Sequence, residues 1–100
     1  MNIKPQAMAE LRRVRIWLNR SQISVDVHGD DVLIPCRTKN HADDAHYALE
    51  LAGVEVETTT VKGRVSRGET KYYVTANCPP PLILFLRGSI SARELLAAAA

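Results

Sequence analysis

Residues 54–78 read VEVETTTVKGRVSRGETKYYVTANC. Two runs rich in Val, Thr and Tyr flank a centre dense in Lys, Arg and Gly. β-Branched and aromatic residues suit a pleated, half-buried surface, and glycine lets the chain reverse, so the stretch predicts a long β-hairpin with a basic tip. Within its second run, Tyr72, Val74 and Ala76 fall on one face and Tyr73 and Thr75 on the other. The first run is less regular. Val54 and Val56 occupy even positions, Val61 and Val65 odd ones, so an unbroken strand would turn one pair outward. A bulge or break among Thr58, Thr59 and Thr60 would resolve the conflict. Residues 66–69 supply the turn.

Immediately before this hairpin, residues 40–52 predict a helix. Asn40 is placed to cap it, Asp43 and Asp44 suit its first turn, and Gly53 stops it. Ala45, Ala48, Leu49 and Ala52 share one face, and their small size lets the helix approach a sheet closely. Asp43, His46, Tyr47 and Glu50 share the other face, which reads either as a solvated surface or as an acidic docking surface with Tyr47 as its apolar contact.

Further upstream, residues 23–36 read as a shorter hairpin. Ile23, Val25 and Val27 alternate with polar residues, His28 to Asp31 turn, and Val32 to Ile34 return until Pro35 removes a ladder donor. Residues 5–20 predict the first helix, with Pro5 in its first turn and Ala7, Leu11, Val14 and Leu18 forming one apolar stripe. Arg12, Arg13, Ile16 and Arg20 lie opposite that stripe and Trp17 lies on its flank, where Trp and Arg together are typical interface anchors.

Downstream, Pro79, Pro80 and Pro81 predict an extended polyproline exit. The apolar run 82–86 fits a short buried helix or a central strand equally well. Ser91 and Glu94 have capping-box spacing, with Ile90 and Leu95 as the flanking staple, so a last helix starts at Ala92. The expected class is α+β: one small domain over 1–100, in the order α-ββ-α-ββ-α, with an antiparallel sheet of two hairpins and helices on one face.

Five aromatics in 100 residues leave the core to Ile, Val, Leu and Ala. Stability of such a domain is on the order of 5 kcal/mol, and a homodimer is a common supplement at this size. There is no apolar run long enough to span a bilayer and no signal-like leader, so the expected setting is cytoplasmic, with no membrane partner. Cys36 and Cys78 then read as buried thiols rather than a disulfide.

The net charge of +2 hides three blocks. Residues 1–25 hold five cations against one anion, 26–57 two against eight, and 58–100 six against two. Either the blocks neutralise one another across the fold, or they present faces of opposite sign that orient a charged partner.

The candidate chemistry is sparse. Cys36, His41 and His46, with Cys78 as a fourth ligand, have C-x4-H-x4-H spacing, but zinc sites usually begin with a close cysteine pair, and none exists. No nucleophile elbow, phosphate loop or paired-carboxylate site is present, so neither an enzyme nor a cofactor is expected. Lys62, Arg64, Arg67 and Lys71 could grip nucleic acid, with Tyr72 and Tyr73 stacking on bases, yet the acidic block opposes a phosphate backbone.

What remains is a non-enzymatic protein-binding module, acting as a stoichiometric inhibitor or adaptor. Small motif-free proteins of bacteria, phages and mobile elements fill such roles, including antagonism of host nucleic-acid machinery in the manner of anti-CRISPR proteins. That expectation rests on size and missing motifs alone. Its expected contact residues are Lys62, Arg64, Arg67 and Lys71 on the hairpin, Arg12, Arg13 and Trp17 on the first helix, and Asp43, Tyr47 and Glu50 on the second. The alternative is a nucleic-acid-binding regulator using the basic 61–71 hairpin.

Overall fold

The computed structural model describes residues 3–29, 31–62 and 70–99. Their elements follow in the order α1 (Pro5–Arg20), β1 (Asp26–His28), β2 (Asp31–Cys36), α2 (Lys39–Leu51), β3 (Val56–Lys62), β4 (Thr70–Asn77), α3 (Pro80–Leu86) and α4 (Ala92–Ala99). The class is mixed α+β: a four-stranded antiparallel sheet in the order β1-β2-β4-β3, with four helices.

Two hairpins meet where β2 pairs with β4, Ile34 opposite Val74 and Cys36 opposite Tyr72. Side chains alternate across the sheet, so Val32, Ile34, Cys36, Val74 and Ala76 share one face, and all five are buried. α2 packs on that face against β4, β3 and β2. Its contact surface is Ala42, Ala45, Ala48 and Leu49, all fully buried, and the alanines permit the close approach. α1 lies against α2 and α3, and α3 against α4. The stripe Ala7, Leu11, Val14 and Leu18 is buried, joined by Met8.

Local chemistry explains the helix ends. α2 is capped by Thr38, whose Oγ1 accepts from the His41 N–H at 3.2 Å, and not by Asn40, which already lies inside the helix. Thr38 sits one step before the donors that need a partner, so it wins. Ser91 and Glu94 form the reciprocal capping box, each backbone N–H donating to the other's side chain at 3.2 Å.

Several expectations are corrected. The apolar run, open between helix and strand in the sequence, is helix α3, so the described residues hold four helices where the expected order had three. Pro80 and Pro81 open that helix, where a missing N–H costs nothing, and only Pro79 is extended. The first hairpin is shorter than expected: Ile23, Ser24 and Val25 precede β1 instead of forming part of it. No bulge interrupts residues 58–60, because β3 pairs with β4 in one unbroken register from Val56–Ala76 to Lys62–Thr70. The phase conflict is settled the other way: Val56 packs against the core and Val61 turns outward, 45% exposed. The expected turn at 66–69 lies outside the described residues.

Candidate protein-interaction surfaces

Three contacts join α1 to α2. Gln6 Nε2 donates to the Tyr47 hydroxyl at 3.4 Å. Arg13 bridges Glu10 at 3.1 Å and Asp44 at 3.7 Å. Trp17 stacks on His41, with ring centroids 4.4 Å apart and planes 4° from parallel. The pairs rise along α1 as they descend α2, so the helices run antiparallel, with Arg13 of α1 paired to Asp44 of α2.

Six residues expected from sequence as contacts lie on these two helices, and three of them meet at the seam. Arg13, Trp17 and Tyr47 form the seam. Arg12 stands on the solvent side of α1 beside Ile16, which is 52% exposed. Asp43 and Glu50 are exposed on α2, and Tyr47 keeps 47% of its surface exposed despite its hydrogen bond. One contact joins the basic and acidic blocks, the Arg13–Asp44 ion pair. Arg13 is neutralised at the seam, while Arg12 and Asp43 have no ion-pair partner among the described residues.

Glu50 is also tied to its own helix. His46 Nε2 lies 3.1 Å from Glu50 Oε2, and His46 Nδ1 lies 2.7 Å from Thr58 Oγ1 on β3. A carboxylate only accepts, so in the neutral ring Nε2 carries the proton and Nδ1 accepts from the Thr58 hydroxyl. His46 thereby pins α2 to the sheet. Sequence reading placed it on an outer face, and only the packing of α2 on β3 gives it this partner.

A second surface lies on the other side of the sheet. Leu33, Pro35 and Tyr73 are half-buried there and stand outside the core cluster. Lys71 is exposed on this face, opposite Val61. Tyr72 points the other way and packs against the core, so the expected pair of stacking tyrosines does not exist. Strand alternation sends neighbours to opposite faces. Of the other hairpin candidates, Lys62 ends β3, and Arg64 and Arg67 lie outside the described residues. The last two β3–β4 pairs, Val61–Lys71 and Lys62–Thr70, run beyond the end of β2.

Two shallow grooves mark the ends of this face. One is lined by Arg37, Lys71, Tyr73 and Pro35 with Gln22, Ile23, Ser24 and Cys36, and contains no carboxylate. The other is lined by Asp31, Glu50, Glu55 and Glu57 among apolar and neutral residues, and contains no cation. Glu57 and Arg37 escaped the sequence reading, because their significance depends on the β2–β4–β3 register.

The cysteines are buried and free. Burial pushes both thiols up from 9.0 to about 11, because a thiolate loses its hydration inside the core. The Cys36 thiol donates to the Ile34 carbonyl at 3.6 Å. Among the described residues, no three His, Cys, Asp or Glu side chains stand close enough to hold a metal ion, and no helix is long and apolar enough to cross a membrane. Comparison with protein-family models, curated proteins and solved structures finds no match.

Proposed function

We propose that the chain is a non-enzymatic protein-binding module, and that the two-helix surface of α1 and α2 is where it grips its partner as a stoichiometric inhibitor or adaptor. The observation that supports this reading is the seam, where Arg13, Trp17 and Tyr47 meet the opposite helix, with Arg12, Asp43 and Glu50 exposed elsewhere on the same two helices. Ile16 and Tyr47 add exposed apolar surface. Aromatic and arginine anchors inside a charged rim are what protein interfaces use. Direct nucleic-acid binding is less well supported. The open sheet face carries Asp26, Asp31 and Glu57 alongside Lys71, and only one tyrosine faces that way.

The test is affinity capture from nuclease-treated cell lysate with wild type and with the double variant Arg12→Glu/Tyr47→Ala. The expected result is one stoichiometric partner that the double variant loses while its circular dichroism is unchanged. Equal recovery by both proteins would remove the helix surface from the site. Salt-sensitive binding of labelled DNA or RNA in an anisotropy titration would replace this reading with the nucleic-acid one.

A further inference from the structure

The open sheet face has a polarity that the helix surface lacks. Cross-strand register arranges its outward side chains in rows. Asp26, Leu33, Thr75 and Glu57 form one row. Pro35, Tyr73 and Thr59 form the next. Lys71 and Val61 follow, and Arg37, in the bend directly after β2, lines the same groove as Lys71. Along the strands the face therefore runs acidic, then apolar and aromatic, then basic. The acidic and basic rows are about 14 Å apart, two strand repeats, too far to neutralise each other within one chain. Arg37 and Lys71 line one groove with no carboxylate in its lining. Among the described residues neither is in an ion pair, and the same holds for Asp26 and Glu57.

We propose that a second copy of this chain docks face to face on the open sheet. The two-fold axis lies between the two sheets, perpendicular to the strands and over the Pro35–Tyr73 row. This rotation reverses strand direction but keeps each strand over its own counterpart. Tyr73 then meets Tyr73, and the acidic row of each copy meets the basic row of the other. The charges interlock laterally as well. Lys71 extends from central strand β4 and Arg37 from the bend that follows the other central strand, β2, while Asp26 and Glu57 stand on the two flanking strands. Each Lys71 reaches the second copy's Glu57, and each Arg37 reaches its Asp26. A two-fold axis parallel to the strands would set acid on acid and base on base, so charge selects the antiparallel arrangement. The product is a four-layer dimer with sheets about 10 Å apart and both helix surfaces outward. A four-stranded face is at the small end of specific interfaces, so the dissociation constant falls in the micromolar range. This surface is separate from the one assigned to the partner, and neither proposal depends on the other.

Sedimentation velocity of the intact chain from about 5 to about 500 µM tests it, spanning the expected dissociation constant. The wild type should pass from 11.1 kDa monomer to dimer, less readily at high salt. Lys71→Glu and Glu57→Lys should each weaken association by about tenfold or more, since each sets like charges together twice. An equimolar mixture of the two variants should recover it, because every contact is then again between opposite charges. That recovery cannot come from misfolded variants. A wild type that stays monomeric throughout, single variants that dimerise normally, or a mixture that fails to recover would each overturn the proposal. Arg12→Glu/Tyr47→Ala should dimerise as wild type does, which separates this result from the partner-binding test.

Discussion

Trp17 and His41 stack in parallel at 4.4 Å, joining the last turns of α1 to the first turn of α2. Trp17 is the sole tryptophan, so its emission reports directly on this seam. His41→Ala is expected to shift emission to longer wavelength as water reaches the indole, and to cost about 1 kcal/mol for the lost ring contact. His41→Phe should preserve both properties. Fluorescence with urea unfolding checks this, and an unshifted His41→Ala spectrum would rule out the stack. The indole Nε1 is buried with no hydrogen-bond partner among the described residues, so Trp17→Phe should cost little despite its size change.

Gln22 occupies a position that ordinarily belongs to glycine. Three helices end alike. Ile23 donates back to Leu18, Val54 to Leu49 and Ser89 to Leu84, each accompanied by the shorter inner bond. The residue at the turn is Gly53 at φ +85° and Gly88 at φ +81° in two of them, but Gln22 at φ +53° in the first. A side chain in the left-handed region costs on the order of 1 kcal/mol. Gln22→Gly is therefore expected to stabilise the fold by about 1 kcal/mol, raising the melting temperature by roughly 4–8 °C. Thermal unfolding by circular dichroism checks it, and a lowered midpoint would contradict the geometry.

The buried thiols set an alkaline limit. Cys36 and Cys78 titrate near 9.0 when unfolded and at about 11 when folded. The folded state holds these protons more tightly, so the contribution is complete below pH 9 and is lost as pH rises toward 11. Each thiol contributes on the order of 2 kcal/mol. Urea midpoints should be flat from pH 7 to about 8.5 and fall steeply by about 10.5, whereas a Cys36→Ala/Cys78→Ala variant should lose most of that slope. At pH 8 the native thiols should react with an aromatic disulfide reagent only as fast as the protein opens.

Legibility followed the range of the forces involved. α1 was readable residue by residue because Pro5 and the Ala7–Leu11–Val14–Leu18 stripe are local signals, and the Ser91–Glu94 box announced α4 for the same reason. The inward face of β4 was legible from alternation alone. Val61 was not, since whether it turns in or out depends on pairing with Lys71 across a hairpin. The prolines misled because Pro79, Pro80 and Pro81 look alike in sequence, yet only the two inside α3 gain from lacking a donor. Among the candidate contact residues, Arg12 and Tyr47 are exposed on the helices where type and helix phase put them, and Trp17 is half-buried. His46, Glu57 and Arg37 matter only through neighbours that the tertiary fold supplies.

Arg87 donates from Nε and Nη2 to the Val25 carbonyl at 3.2 and 2.9 Å, across 62 residues of sequence. In the same region Arg15 of α1 lies over the Phe85 ring, 4.7 Å from its centre. Both contacts fasten the first quarter of the chain to the last. During synthesis, α1 and the approach to β1 therefore emerge well before the groups that secure them. The Arg87 bonds to Val25 cannot form until the chain has reached the end of α3, and closing so long a loop is paid for only then. A nascent chain stopped before residue 80 would lack both fastenings, Arg87 on Val25 and Phe85 under Arg15. Helix α3 and the residue after it thus act as a clasp that holds the first helix and the approach to the edge strand together.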